Sequence, residues 1–325
     1  MNPPSRMLTL HSQDNIAVAL ADISAGEVDD RSGIKVLQSV KQGHKIAVTA
    51  ISAGQNVLRY GQTIGQATTD IAAGEHVHVQ NLGMGEHSRD YAHASEAKTL
   101  PALTDARTFN GYHRADGSVG TRNYLGILTS VNCSGSVAKF IAEAAEKSGL
   151  LDAFPNIDGI VPIVHGTGCG MSGENEGYDT LLRTLTGYAQ HPNFGGILLV
   201  GLGCEVMQVS ALVGGRAIRA DGALRYMTIQ HEGGTRKTIE KGLAELRSIA
   251  ELANTATRQP APISHLTVGM QCGGSDGYSG ITANPAVGVA SDILVRHGGT
   301  TILSETSEIY GAEHLLTRRA ATVEV

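Results

Sequence analysis

Four times along this chain an apolar run of strand length gives way to a Gly- or Ser-rich loop carrying one cysteine. The runs are NYLGILTS, GIVPIV, GILLV and LTVGM. The loops are VNCSGS around Cys133, HGTGCGM around Cys169, GLGCE around Cys204 and QCGGSDGYSG around Cys272. Helical patterns lie between the runs. Val137, Phe140, Ile141, Ala144 and Ala145 share one face of a helix that ends near Gly149. A second helix runs near Tyr178 to Ala189, and a charged one from about Thr235 to Ala253, after LRYMTI and QHEGG. Strand, loop and helix in this alternation predict a parallel sheet with helices on both faces. Loops that follow strand C-termini gather at one edge of such a sheet, where ligands bind. Cys133, Cys169 and Cys204, spaced at about 35 residues, are therefore expected at a common edge.

The flanks differ. From Asn15 to Leu82 short runs such as IAVAL, HKIAVTAI, NVLRY and HVHV are separated by Gly turns. Ile23-Ser-Ala-Gly26, Ile51-Ser-Ala-Gly54 and Ile71-Ala-Ala-Gly74 repeat one motif, read as a turn that reverses the chain into a strand. This predicts a compact all-β module. The organisation expected is an all-β module over 1–92, a linker over 93–110, an α/β domain over 111–253, a linker over 254–262 and the start of a third domain over 263–325. In the last, LTVGM and TTILS flank one helix. Asn284 reads as its N-cap, Pro285 as its first residue, Ala286, Ala290, Ile293, Leu294 and His297 as one face, and Gly298 as its stop. One helix and two strands cannot close a core, so this domain is expected to be incomplete.

Composition narrows the functional classes. A chain of 325 residues can bury large cores, and 41% hydrophobic residues excludes a disordered one. The formal charge of −6 and pI near 6.1 argue against nucleic acid or an anionic membrane as main partner. The N-terminus lacks a basic-then-apolar signal, and the richest apolar run, GGILLVGLG, is far too short to span a membrane. Four cysteines without a CxxC pair suit a reducing cytoplasm rather than a disulfide framework. No GxGxxG or P-loop pattern follows a strand at nucleotide-binding spacing.

Three groups of residues can carry chemistry. The cysteines either hold a soft metal or iron–sulfur cluster, or fill tight space behind their loops. Among histidines, His76 and His78 alternate on a strand and share a face, His44 opens another strand, and His165 and His231 open loops. Asp276, Glu205, Glu305 and Glu308 follow strand runs, as hard-metal ligands would. Arg122, just before a strand, is either a bidentate clamp for a carboxylate or a surface ion-pair partner.

Longer motifs carry a resemblance. GHKIAVTAI, RYGQTIGQATTDIAAGEHVHVQNL, GYHRADGSVGTRNYLGIL, HPNFGGILLVGLGCE and GGSDGYSGITANPAVGVASD, continuing to GGTTILSETSEIYGAEHLLTRRA, resemble the altronate/galactarate dehydratase family from about residue 10 to 320. The resemblance implies an N-terminal SAF-type β-clip module, a second α/β domain and a C-terminal domain extending beyond residue 325 in relatives. It implies dehydration of an aldonic or aldaric acid to a 2-keto-3-deoxy acid with Fe²⁺ or Mn²⁺, an iron–sulfur cluster being the other metal form. The alternatives are a sulfo-lyase acting on a hydroxy-sulfonate and a non-catalytic sugar-acid-binding chain. On this resemblance His78, His44 and His165 are the expected acid–base residues. Arg122, Lys45, Ser275 and Asn284 are expected to bind substrate. Asp276, Glu305, Cys133, Cys169, Cys204 and Cys272 are expected to hold metal. The expected partner is a small anionic sugar acid, with no nucleic acid or membrane, in a cytoplasmic homo-oligomer. Gln80 stands where the family usually has His.

Overall fold

The computed structural model describes residues 5–85, 89–214, 223–274 and 276–325. The chain begins with seven short strands: β1 (Met7–Leu8), β2 (Ile16–Ala19), β3 (Lys45–Ala47), β4 (Asn56–Arg59), β5 (Gln62–Ala67), β6 (His76–Val77) and β7 (Leu82–Gly83). They form two antiparallel sheets, in the orders β1-β2-β3-β6 and β4-β5-β7. The threefold motif is the turn that the sequence predicts. Gly26, Gly54 and Gly74 all adopt positive φ, 82–87°, and donate to Val36, Ala67 and Ala47 carbonyls at 2.8 Å. The isoleucine that opens each copy is buried, and Ile51 bridges Ile71 directly. One local device thus folds the chain back three times and plants an aliphatic anchor each time.

The middle of the chain carries β8 (Thr108–His113), β9 (Val119–Gly120), β10 (Tyr124–Thr129), α1 (Gly135–Lys147), β11 (Gly159–Ile163), α2 (Glu176–Gln190), β12 (Phe194–Gly201), α3 (Val209–Gly214), β13 (Leu224–Thr228), α4 (Ile229–Glu232), α5 (Thr235–Ala253) and β14 (Gln259–Pro262). Strands β11-β10-β12-β13 form an all-parallel sheet. Every residue of β12 is buried, as a central strand covered on both faces requires. Its side chains alternate between two cores. Leu198 and Val200 join Leu125, Ile127, Ile141, Leu246 and Ile249 under α1 and α5. Ile197 and Leu199 join Leu128, Leu181, Leu185 and Leu212 under α2 and α3. The α1 face is rotated from the one expected. Ala138 and Ala142 are buried, whereas Phe140 is 47% exposed. Small residues face inward where α1 packs on α5, so the ring is left outside. The segment expected to link domains, 254–262, ends in β14, which pairs antiparallel with β8.

The chain closes with β15 (Thr267–Met270), α6 (Ala283–Arg296), β16 (Thr300–Leu303) and α7 (His314–Thr317). β15 and β16 pair in parallel as a two-stranded sheet. α6 begins one residue before the expected N-cap Asn284, and it buries none of its residues, so its predicted core face lies open. Two strands offer too little surface to cover a helix. The residues fall into two compact units, one of 1–102, 267–296 and 300–325, the other of 103–266 and 297–299. The C-terminal elements therefore cluster with the N-terminal β module.

Candidate active site

In the first unit, β3 lies antiparallel to β6, with Ile46 opposite His76 and Lys45 opposite Val77. This pairing brings His44, at the start of β3, to His76, with Nδ1 and Nε2 3.0 Å apart. His78 stacks on both, its ring centroid 5.4 Å from each, while His44 and His76 are 5.1 Å apart. The HVH alternation is what sets the two β6 imidazoles on one face. Burial first, then the neighbouring His44, His78 and Lys45, pull the His76 pKa below the ordinary 6.5. These neighbours favour the neutral form of His76, and the outer ring, His78, is exposed. Gln80, at the family's usual histidine position, donates from Nε2 to the His76 carbonyl at 3.0 Å.

Two cations lie in series from this strand pair: the Lys45 charge acts on His76, and the Arg59 charge acts on Lys45. The Lys45 ammonium is pushed below its usual pKa by burial and by the Arg59 charge. Arg59, at the end of β4, has Nε and Nη2 buried without a hydrogen-bond partner among the described residues. The C-terminal loop lies against this side of the β module. Tyr60 Oη donates to the Gly280 carbonyl at 2.8 Å, and Tyr278 Oη to the Ala19 carbonyl at 3.3 Å. A Cβ on Gly277 would stand 2.7 Å from the Gly43 carbonyl oxygen, and one on Gly280 3.1 Å from Arg59 Nη2. Glycine in this loop therefore permits backbone to reach backbone.

The other predicted residues of this unit lie along the same loop. Asp276 Oδ1 accepts from Tyr278 and Ser279 N–H at 2.7 and 2.9 Å, which lowers its pKa and spends the carboxylate on the turn. Ser275 lies outside the described residues. Cys272, Asn284 and Glu305 do meet, in a cavity of about 580 Å³ at the C-terminal edge of β15 and β16. Glu305, in the left-handed region at φ 59°, accepts from the Cys272 N–H at 3.0 Å and from Gln271 Nε2 at 3.3 Å.

The second unit gathers a different set. Cys133, Cys169 and Cys204 follow β10, β11 and β12, so the parallel order places their loops at one sheet edge. The loops interlock. Asn132 N–H donates to the Thr167 carbonyl at 2.8 Å, and Val206 and Met207 N–H donate to the Gly168 carbonyl at 3.2 and 3.3 Å. The three thiols are exposed, so they do not fill space behind the loops. His165 Nε2 donates to the Thr129 carbonyl at 2.9 Å and Nδ1 accepts from Thr167 N–H, so both nitrogens serve the backbone. Glu205 is buried and accepts from Ser130 Oγ at 2.7 Å and from Leu202 and Gly203 N–H. Arg122 precedes β10 and so stands at the opposite edge from the cysteines. It is exposed, with Nη1 on the Thr121 carbonyl.

Among the described residues no three His, Cys, Asp or Glu side chains are arranged to hold a metal ion. His78 stacks on the other two imidazoles, His44 and His76 turn one nitrogen each towards the other, Asp276 caps its turn, and Glu305 caps the Cys272 backbone. No assembled ligand set for the expected Fe²⁺, Mn²⁺ or cluster is therefore present among the described residues. Arg59 is not among the residues expected from the sequence, and His76 enters there only as a metal or acid–base candidate paired with His78, outside the expected acid–base set of His78, His44 and His165. The HVH pattern held the signal for His76. Arg59 carries none on its own, because its significance lies in what it lacks. No helix among the described residues is long and apolar enough to cross a membrane.

Comparison with known proteins covers nearly the whole chain. Residues 5–85 match the altronate/galactarate dehydratase SAF domain, 111–254 the D-galactarate dehydratase/altronate hydrolase second domain, and 263–325 the D-galactarate/altronate dehydratase C-terminal domain. Altronate dehydratase of Bacillus subtilis is 36% identical over 322 residues, 98% of this chain and 63% of the relative. Altronate dehydratase of Escherichia coli is 38% identical over 318 residues, 95% of this chain and 62% of the relative. Galactarate dehydratase (L-threo-forming) of Escherichia coli is 38% identical over 336 residues, 99% of this chain and 63% of the relative. The chain thus spans a little under two thirds of the length of these relatives. Three domain matches in the family's order, with identity of this level along the whole sequence, place the chain in the altronate/galactarate dehydratase family.

Proposed function

We propose that this chain acts on a sugar acid as a hydro-lyase, removing water from an aldonate or aldarate such as altronate or galactarate to give a 2-keto-3-deoxy acid. The observation that carries the reading is the stacked cluster of His44, His76 and His78 beside Lys45 and Arg59. Dehydration needs a base for the weakly acidic C2 proton and an acid for the departing C3 hydroxyl. A neutral imidazole supplies the first and an imidazolium the second. On this reading His78, the exposed ring, takes the C2 proton. His44, linked to His76, protonates the C3 oxygen as the C3–O bond breaks. Water leaves, and the C2 enol tautomerises to the ketone. His76, whose neutral form burial favours, orients His44 through their hydrogen bond.

The β-clip assignment of the first module belongs to the same reading. It makes β3 and β6 the scaffold that presents the imidazoles. The Fe²⁺ or Mn²⁺ expectation has no assembled ligand set among the described residues, and no step here is routed through a metal. Metal analysis after anaerobic purification decides whether one binds.

Turnover of a panel of altronate, galactarate and related acids tests the function. A 2-keto-3-deoxy product from any of them supports it. Sulfite released from a hydroxy-sulfonate, with no keto acid from the panel, overturns it in favour of the sulfo-lyase alternative. Binding of a panel acid without product turns it into the sugar-acid-binding alternative.

A further inference from the structure

We infer that Arg59 and Lys45 form a carboxylate-binding site at the border of the histidine cluster, with the Arg59 Nε–Nη2 edge as its specific element. The inference rests on the sugar-acid reading for the identity of the ligand, but its geometry stands apart from the chemistry of water loss.

Three observations lead to it. First, the two Arg59 nitrogens that are buried and unbonded are Nε and Nη2. They lie along one edge of the guanidinium, and their parallel N–H bonds match the two oxygens of a carboxylate. Arg89 also has an unbonded Nε, but its Nη2 donates to the Thr63 carbonyl at 2.7 Å, and its charge acts on Glu313. Among the described residues Arg59 forms no ion pair with an acid.

Second, Lys45 and Arg59 are like charges whose repulsion is felt at Lys45. Among the described residues no carboxylate forms an ion pair with either, whereas Arg225, Arg258 and Arg318 each face one. Two adjacent, partly desolvated cations are costly unless an anion neutralises them.

Third, the loop of Gly277 to Gly280 closes on this spot from the far end of the chain. It brings Gly280 within 3.1 Å of Nη2, measured from the position of an added Cβ. A glycine there lets the loop lie over the buried guanidinium edge without a clash, so a carboxylate reaches that edge as the loop lifts from it. The site so formed suits the C1 carboxylate of a hydroxy acid.

Calorimetric titration of the wild type, Arg59→Gln and Arg59→Lys with D-galactarate, galactitol and inorganic phosphate tests the site. Galactitol is the uncharged counterpart of galactarate, and phosphate reports a non-specific anion site. The expected result is galactarate binding to the wild type with no galactitol binding. Arg59→Gln should weaken galactarate binding by about tenfold or more, and Arg59→Lys should recover only part of the loss. Equal binding of galactarate by wild type and Arg59→Gln, at unchanged melting temperature, overturns the inference. So does phosphate binding as tight as galactarate.

A second measurement needs no variant. In the wild type, galactarate bound beside the cluster raises the NMR titration midpoint of His76, because a nearby anion favours the imidazolium. Absence of any shift in the His44, His76 and His78 resonances with saturating galactarate, altronate and tartrate overturns the inference as well. Binding through Arg59 without any keto-acid product leaves the carboxylate site standing and removes only the dehydratase reading.

Discussion

The first unit and the second unit both bring chemistry-bearing side chains together from distant stretches of chain, yet they do so in opposite ways. At the parallel-sheet edge of the second unit, the cysteine loops are knitted by backbone hydrogen bonds. Their polar side chains are satisfied by the fold itself: His165 by two backbone groups, Glu205 by three donors. In the first unit the polar side chains are left wanting. Among the described residues Lys45 and Arg59 form no ion pair, and His78 stacks on His44 and His76 with its own ring in solvent. A dense set of candidate residues is thus a weak sign of a ligand site. A set whose charges the protein leaves unmet is a stronger one.

The largest expected effect separates the two regions directly. His78→Ala and His44→Ala are each expected to lower kcat on the accepted sugar acid by ~10²–10⁴-fold, the usual worth of a positioned acid or base. Cys133→Ser, Cys169→Ser and Cys204→Ser are expected to stay within about threefold, since each thiol is exposed and Cys133 Sγ donates to the adjacent Asn132 Oδ1 at 3.5 Å, a bond a serine hydroxyl can replace. Steady-state kinetics on the five variants decides. The reverse pattern moves the chemistry to the sheet edge and revives the metal expectation there.

Stability should show the opposite ranking. Glu205→Ala strips one buried acceptor from Ser130, Leu202 and Gly203 and is expected to cost about 3 kcal/mol in chemical denaturation, from orphaned donors at roughly 1–3 kcal/mol each. It touches none of the imidazoles. A change below about 1 kcal/mol would show that the loops do not depend on this carboxylate, and would free Glu205 for another role.

What the sequence disclosed, and what it withheld, follows the same division. The parallel sheet was legible because NYLGILTS, GIVPIV and GILLV are apolar runs at even spacing, and burial of β12 on both faces demands such runs. The three turns were legible because only glycine holds φ near +80° without strain, so the motif had to repeat. The pairing of His44 with His76 and His78 was half legible: alternation gave the shared face of β6, but register with β3 is a tertiary fact. Arg59 was invisible, since an arginine at a strand end is ordinary until its neighbours are known. Asp276 reads two ways for a related reason. A carboxylate in a Gly-rich loop suits a metal, and equally suits the turn that Tyr278 and Ser279 close around it.

A smaller effect probes how the C-terminal loop completes the first unit. Gly277→Ala drives a methyl to within 2.7 Å of the Gly43 carbonyl oxygen and 2.9 Å of its Cα, where backbone meets backbone. The loop must retreat from Gly43, and with it Tyr278 and Gly280. KM for the sugar acid is expected to rise about 3–30-fold while the melting temperature changes little, because the β module keeps its own core of Ile46, Val36 and Ile23. An unchanged KM would show that the site lies wholly on the β module.

The least effect concerns pH, and its sign follows from His76. Burial, His44, His78 and Lys45 all favour the neutral ring, so the folded pKa lies below the ordinary 6.5. Above 6.5 the ring is neutral both folded and unfolded, and its contribution to stability is fully present. As pH falls through that value the unfolded ring takes a proton and the folded ring resists, so stability is lost towards and through the depressed folded value. The melting temperature should therefore drop by about 1–2 °C more between pH ~7 and ~5 in the wild type than in His76→Gln. Bound galactarate should reduce that difference, because its carboxylate beside Lys45 and Arg59 offsets the repulsion that depresses His76. An equal slope in the wild type and in His76→Gln would mean that burial and the cationic neighbours do not set the titration of this ring.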